Sequence, residues 1–314
     1  MKKLIIGKMN PRFPVMQGAL GFIDSSAFVA NMARAGAIGV IASLGLTPGE
    51  LRRRILDVRS ECNGNDIFGV NLLVPSDHYL ELLKVCIEEH VDFVELAGGI
   101  DKKCDLISKH RGPSVICKVS SLRLAQYAEQ LGAAAITVMG KEAGGHLGFP
   151  NGTPFISTVD LVRGIKPRVN VPVIAAGGAV DAEFSQVLFE AGADAIQIGT
   201  RLLTTNEFES HQSFKDAIIK ATHDDVIVIN SPFGLPLRAL DTRFARGEGR
   251  SCYGVEDCVG CLPTCSKNFC LRAAMRRAVA GEVEQGIIPA SEHAPRIGTI
   301  LPLRQVLLEV SHLS

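Results

Sequence analysis

Eight short apolar runs, each followed by a helical pattern, constrain the fold of this chain more than any other feature. The runs are rich in residues that favour buried strands. They lie at residues 14–17, 38–42, 67–73, 92–97, 114–119, 134–140, 171–176 and 195–199. Helix signals separate them, such as Asp181 before residues 182–191 and Ser120 or Ser121 before residues 122–131. Eight regularly spaced βα units that end near residue 220 predict a (β/α)8 TIM barrel rather than a doubly wound sheet.

The residues that follow the eight βα units are predicted to form a separate part of the fold. We expect residues 1–225 to form the barrel and residues 226–314 to form a cysteine-rich helical extension that packs on it. A chain of 314 residues is long enough to bury both parts.

Charge and hydropathy exclude several classes of partner. The sequence has 33 Lys and Arg residues against 33 Asp and Glu residues, so it creates no general basic field for nucleic acid or anionic lipid. No apolar run is long enough for a membrane span, and the apolar run after Met1 is too short for a signal peptide. We therefore predict a cytoplasmic protein with a small-molecule substrate, without a nucleic-acid or membrane partner; a homodimer is left open.

A glycine-rich loop follows the sixth predicted strand. Residues 140–148 read GKEAGGHLG and place the imidazole of His146 among glycines. Glycines allow positive φ and a close approach of the backbone to a ligand. We predict that His146 is the catalytic residue, with Glu142 as a weaker candidate for a base.

The ends of the seventh and eighth predicted strands carry small residues. Backbone N–H groups of Gly177, Gly178, Gly199 and Thr200 are in the position where barrels of this class bind phosphate. The Thr200 hydroxyl adds another donor. A phosphate held there on the same barrel mouth as His146 indicates flavin mononucleotide (FMN).

Taken together and in order, six motifs resemble the nitronate monooxygenase family, formerly called 2-nitropropane dioxygenase. They span residues 13–19, 68–71, 118–120, 140–148, 175–178 and 192–201. Flavin-dependent enoyl-ACP reductases share the same motifs. The match covers roughly residues 10 to 240, so it is specific for the fold and the cofactor although each motif alone is weak.

This resemblance implies a role for each matching residue. Gln17, Gly18 and Ala19 would line the flavin, Asn71 and Lys118 would contact it, and Gly178, Gly199 and Thr200 would hold its phosphate. Gly145 and Gly177 complete the predicted cofactor site, and His146 matches the family's active-site histidine. The implied reaction is the FMN-dependent oxidation of an alkyl nitronate by O2 to a carbonyl compound and nitrite. There His146 would stabilise charge on the nitro oxygens or remove an α-proton.

Other activities fit the same motifs. An enoyl-ACP reductase or a quinone reductase would keep the flavin site and would use NAD(P)H as a cosubstrate. A lyase without flavin would use Lys141 as a Schiff base, and an electron-transfer or redox-sensing protein would couple the flavin to clustered thiols.

Cysteines concentrate in the predicted extension. Cys258, Cys261, Cys265 and Cys270 are separated by two, three and four residues, a spacing that serves metal ions in reduced compartments. We predict zinc or an iron–sulfur cluster there, with packed reduced thiols or a regulatory disulfide as alternatives. By contrast, Cys62, Cys86, Cys104 and Cys117 are scattered and are expected to pack as small hydrophobic residues.

Overall fold

The strands form a closed parallel barrel, as the sequence predicts. The structure is a computed structural model that describes residues 4–102, 107, 112–150 and 152–312. Its strands are β1 (Val15–Gln17), β2 (Ile38–Ala42), β3 (Ile67–Leu73), β4 (Phe93–Ala97), β5 (Ser114–Val119), β6 (Ala135–Met139), β7 (Gly145–His146), β8 (Val173–Ala176), β9 (Ala195–Ile198), β10 (Val226–Asn230) and β11 (Pro236–Leu240). The barrel runs in the order β1-β2-β3-β4-β5-β6-β8-β9, and β9 closes it by pairing in parallel with β1.

Helices cover the outside of the barrel. They are α1 (Ser26–Arg34), α2 (Pro48–Glu61), α3 (Tyr79–Glu88), α4 (Leu122–Gln130), α5 (Thr158–Ile165), α6 (Ala182–Glu190), α7 (Gln212–Ile219), α8 (Leu271–Val279) and α9 (Leu303–Ser311). Side-chain caps fix several of their first turns. Ser121 accepts a hydrogen bond from the backbone N–H of Leu124, and Asp181 accepts one from that of Phe184. Both caps lie where the sequence predicts them.

The barrel interior is apolar at the end where the strands begin. Met16, Ile38, Phe93 and Ile116 belong to one fully buried cluster. Residues from the start of the chain, Leu4, Ile6 and Met9, join the same cluster. Apolar side chains therefore close the barrel at the amino ends of its strands. The open mouth lies at the carboxyl ends of the strands.

The C-terminal part of the chain contributes to the barrel. The buried side of α9, with Leu303, Val306 and Val310, belongs to the main hydrophobic core, and the helix packs on α6 and β1. Strands β10 and β11 form a small antiparallel sheet with β7. The predicted domain boundary near residue 225 stays a prediction, and residues after it complete both the outer layer and the mouth.

The described helices are all too short or too polar to cross a lipid bilayer. Of the scattered cysteines, Cys86 and Cys117 are fully buried and Cys62 is partly buried. Cys104 lies outside the described residues.

Candidate active site at the barrel mouth

A cavity of about 570 Å³ occupies the mouth of the barrel. This volume is within the range of small-molecule and cofactor sites. All of the predicted catalytic and cofactor-binding residues except Gln17 line it: Gly18, Ala19, Asn71, Lys118, Gly145, His146, Gly177, Gly178, Gly199 and Thr200. The fold thus brings together residues that are up to 182 positions apart in the chain, from Gly18 to Thr200.

Two of the lining glycines follow β8 with a backbone that other residues rarely adopt. Gly177 has φ +114° and Gly178 has φ +89°. A Cβ atom on Gly177 would lie 2.9 Å from the backbone nitrogen of Ala143, and one on Gly178 would lie 2.4 Å from the ring of Phe184. Both positions therefore require glycine, and both leave backbone groups at the cavity wall.

A C-terminal segment, residues 287–296, ties the loops of the mouth together. The backbone N–H of Ser291 donates to Thr200 Oγ1 at 2.8 Å, and Ser291 Oγ donates to the carbonyl oxygen of Glu142 at 2.7 Å. His293 donates from Nδ1 to the carbonyl oxygen of Gly178 at 3.1 Å. Because the Thr200 hydroxyl accepts the bond from Ser291, it can still donate its own hydrogen to a ligand. This segment therefore positions all three loops that carry the predicted phosphate site and His146.

The contact between this segment and Gly144 gives a testable prediction. A Cβ atom at Gly144 would lie 2.6 Å from the carbonyl carbon of Ala290 and 2.7 Å from the nitrogen of Ser291, so backbone would have to move. We expect Gly144→Ala to lower the free energy of unfolding by about 1–3 kcal/mol in urea titrations. The matched control is Gly164→Ala in α5, where a Cβ atom meets nothing within 4 Å. An equal effect of both substitutions would show that the segment does not press on the loop.

His146 is placed by a strand pairing that joins residues 145–146 to residues 237–238. It lies in β7 opposite Leu237 of β11. Its ring stacks on Phe233, with centroids 5.0 Å apart and planes at 19°, and its Nε2 shares a hydrogen bond with Ser231 Oγ at 2.9 Å. Burial lowers the pKa of His146 to about 4. At neutral pH the imidazole is therefore uncharged, with one nitrogen that donates and one that accepts.

The lowered pKa predicts how stability depends on pH. Below pH 6.5 the unfolded chain binds a proton at His146 that the folded chain takes up only near pH 4, so its contribution is complete above pH 6.5 and is lost as the pH falls. Relative to His146→Gln, the wild type should lose about 2 kcal/mol of unfolding free energy between roughly pH 7 and pH 5. Urea titrations of both proteins at the two pH values measure this difference. Parallel losses in the two proteins would contradict the buried, neutral histidine.

A buried carboxylate that the sequence reasoning missed contacts three residues of the cavity lining, Asn71, Lys118 and Gln197. Glu95 in β4 is fully buried. Its Oε2 accepts a hydrogen bond from Asn71 Nδ2 at 2.7 Å and lies 3.2 Å from the ammonium nitrogen of Lys118. Its Oε1 accepts from Thr137 Oγ1 at 3.0 Å and from Gln197 Nε2 at 2.9 Å. Lys118 lines the cavity, and its charge is already paired with Glu95.

Gln17 does not line the cavity. It is fully buried at the mouth end of β1, and its Oε1 accepts a hydrogen bond from the Val40 N–H at 3.3 Å. Its Nε2 is buried and has no hydrogen-bond partner among the described residues. A buried donor without a partner is costly. Because Gln17 does not reach the cavity, the fit to a flavin rests on the glycine-lined wall and on the Thr200 hydroxyl, which can donate to its phosphate.

The two other candidate side chains near His146 have structural partners. Glu142 is buried, and its Oε2 accepts hydrogen bonds from the backbone N–H and the hydroxyl of Thr158 at the start of α5. The side chain of Lys141 is 37% exposed, pairs with Glu292 at 3.6 Å and is not part of the cavity lining. The structure therefore gives no support to a Schiff base at Lys141, and Glu142 serves as a helix cap.

The four clustered cysteines form no metal site in the described part of the chain. Cys258 is exposed, Cys261, Cys265 and Cys270 are partly buried, and none of them forms a disulfide. In the part of the chain that the structure describes, no three His, Cys, Asp or Glu side chains are grouped closely enough to hold a metal ion. The predicted zinc or iron–sulfur site is therefore not supported. The loop that carries these cysteines instead borders the mouth, where Leu262 and Thr264 line the cavity.

Comparison with known proteins agrees with this architecture. The chain matches the family model described as nitronate monooxygenase over residues 2–312. It is 26% identical to a probable nitronate monooxygenase from Staphylococcus saprophyticus over 76% of this chain and 79% of that protein. It is 30% identical to a hydroxy-methyl-oxo-octahydroindene-carboxyl-CoA dehydrogenase from Rhodococcus jostii, over 73% of this chain and 63% of the dehydrogenase. Among solved structures, FabK from Thermotoga maritima aligns with a TM-score of 0.80 at 32% identity, covering 96% of this chain and 92% of FabK.

Fold and site together define an enzyme, a flavin-dependent oxidoreductase built on a (β/α)8 barrel. The chain belongs to the nitronate monooxygenase family.

Proposed function

We propose that this enzyme binds FMN and oxidises alkyl nitronates to carbonyl compounds and nitrite, with O2 as the second substrate. The observation that carries the proposal is the neutral, partly buried His146, which faces the same cavity as the glycine loops after β8 and β9. FMN, when bound, would supply the electron acceptor for the reaction. Gly178, Gly199 and Thr200 would hold its phosphate, and Asn71 and Lys118 would contact its ring.

The side chains of the site would then act on the nitronate. Uncharged His146 can donate a hydrogen bond to a nitro oxygen without bringing a second charge into the cavity. The stacking on Phe233 and the hydrogen bond to Ser231 hold the ring in one orientation, which reduces the cost of reorganisation during the reaction. If a neutral nitroalkane enters, the other tautomer, in which Nε2 donates to Ser231 Oγ, leaves the Nδ1 lone pair able to accept its α-proton.

A second candidate function is favoured by the apolar part of the cavity. Beyond the glycine loops, the wall consists of hydrophobic side chains from the rim and from the C-terminal part of the chain, including Leu73, Ile100, Phe233, Leu262, Leu271 and Met275. Such a wall suits an acyl chain better than a small polar nitronate. The name of the Rhodococcus relative describes action on a CoA thioester. The reduction of an enoyl thioester or a quinone by NAD(P)H is therefore the alternative.

Steady-state assays would separate these functions. The proposed activity predicts nitrite formation and O2 uptake from propyl-2-nitronate without any nicotinamide cofactor. Heat-released flavin should be FMN by mass, at about one equivalent per chain. Consumption of NAD(P)H with an enoyl thioester or a quinone, in the absence of nitrite formation from nitronate, would reject nitronate oxidation in favour of the alternative. A protein without flavin would reject both.

A further inference from the structure

A second cavity, of about 220 Å³, opens beside the barrel mouth. It could hold about seven water molecules at roughly 30 Å³ each, so a phosphate group fits easily. Phe22, Ala42 and Leu44 line this cavity and also the main one. One extended ligand can therefore occupy both.

Positive charge dominates this second cavity. Arg54, Arg272 and Arg276 line it, and the last two are one turn apart on α8. Arg54 is neutralised by the buried carboxylate of Asp24, at 3.1 Å. Among the described residues, no carboxylate lies within 4.0 Å of the guanidinium of Arg272 or that of Arg276. Within the described part of the chain, two cations of this cavity thus lack an ion-pair partner.

The remaining acidic residue of this cavity, Glu50, offsets their charge only in part, because it attracts Arg272 and Arg276 without a direct ion pair among the described residues. Glu50 uses its Oε2 to accept hydrogen bonds from the backbone N–H and the hydroxyl of Thr47, both at 2.8 Å, in the capping box of α2. Desolvation lowers the pKa of Arg276 and the charge of Arg272 lowers it further, while Cys270 and Glu50 oppose part of this shift. The two cations therefore oppose each other, and a bound anion would relieve this repulsion. The whole chain has equal numbers of basic and acidic residues, so the excess of arginine in this cavity does not reflect a generally basic surface.

We propose that this second cavity binds the phosphate group of a small-molecule substrate or cosubstrate whose reactive end enters the barrel mouth. Guanidinium groups bind phosphate oxygens with paired, charge-assisted hydrogen bonds, and two of them suit a dianionic phosphate monoester. Two kinds of molecule present this chemistry, a nicotinamide dinucleotide phosphate and a coenzyme A thioester. The inference goes beyond nitronate oxidation, which needs no phosphorylated substrate.

Calorimetric titration of the flavin-loaded protein tests the proposal without turnover. NADP⁺ is compared with NAD⁺, and coenzyme A with pantetheine, so that each pair differs by phosphate-containing groups. We expect one phosphorylated probe to bind about tenfold or more tightly than its counterpart, and Arg272→Ala and Arg276→Ala to remove about this advantage. The control is Arg243→Ala, whose exposed guanidinium pairs with Glu248 at 2.7 Å away from the cavity. Thermal melts verify that every variant is folded.

The titration results can be distinguished from the results of the assays that test the proposed function. Tighter binding of NADP⁺ identifies a nucleotide cosubstrate, and tighter binding of coenzyme A identifies a thioester substrate. The proposal is overturned if neither probe binds better than its counterpart, or if the Arg272 and Arg276 variants bind as the wild type does. Failure of the proposed function would appear elsewhere, as missing flavin or missing nitrite formation, and would leave these titrations interpretable.

Discussion

Replacement of His146 by alanine is expected to lower kcat with propyl-2-nitronate by roughly 100- to 1000-fold while bound flavin stays near the wild-type amount. The substitution removes the neutral imidazole from the cavity, together with its contacts to Ser231 and Phe233. It leaves the glycine loops after β8 and β9 unchanged, and these are the parts assigned to the phosphate. Nitrite formation per bound flavin, with flavin quantified after denaturation, measures the two effects separately.

His223→Ala is the matched control for this prediction. His223 is exposed, in a short 3-10 turn of residues 223–225, and it is not part of the cavity lining. Its kcat should stay within about twofold of the wild type, as expected for a surface substitution. If His146→Ala loses flavin but keeps its turnover per bound flavin, His146 supports the fold of the mouth and has no direct part in the reaction.

The largest effect on stability is expected from Glu95→Leu. Glu95 is fully buried, and its carboxylate is the partner of Lys118 and the acceptor for Asn71, Thr137 and Gln197. Leucine would leave the Lys118 ammonium and three polar groups without that acceptor. Removal of one partner from a buried ion pair typically costs about 3–5 kcal/mol of unfolding free energy. Urea titration of the purified variant measures this loss.

Two further variants show whether the loss of unfolding free energy comes from the unpaired charge of Lys118. Lys118→Met combined with Glu95→Leu removes both ions, so a large part of the lost stability should return. Glu190→Gln, at an exposed carboxylate on α6, should change the free energy of unfolding by no more than about 0.5 kcal/mol. A Glu95→Leu protein as stable as the wild type would contradict the buried ion pair.

Most of the barrel could be predicted because its signals are local. Each strand is a short apolar run, and caps such as Ser121 and Asp181 are set by residues three positions away. The C-terminal part was harder to predict, because the positions of α9 and of residues 287–296 depend on contacts with distant loops. Nothing near Ser291 in the sequence indicates that its backbone binds Thr200, which is 91 residues away.

The candidate site also has some residues that local sequence signals indicate and others that depend on distant contacts. Glycine motifs and one histidine in a loop were sufficient to select His146 and the residues around Gly178. Glu95 was overlooked although it left a signal, since a carboxylate in the apolar run FVELA must be paired once the strand is buried. The partnership of His146 with Ser231 spans 85 residues and has no such signal. The metal site predicted from the cysteine spacing is not supported, because short spacing permits several thiols to bind one ion but does not require it.

An anaerobic visible spectrum, recorded before and after addition of propyl-2-nitronate, tests the proposed function most directly. A flavin enzyme that oxidises nitronates should show flavin absorption bands at the start, and these bands should bleach on addition of the nitronate alone. A colourless protein would contradict the flavin site. Bands that bleach with NADH or NADPH but persist with the nitronate would contradict nitronate oxidation and would identify a reductase.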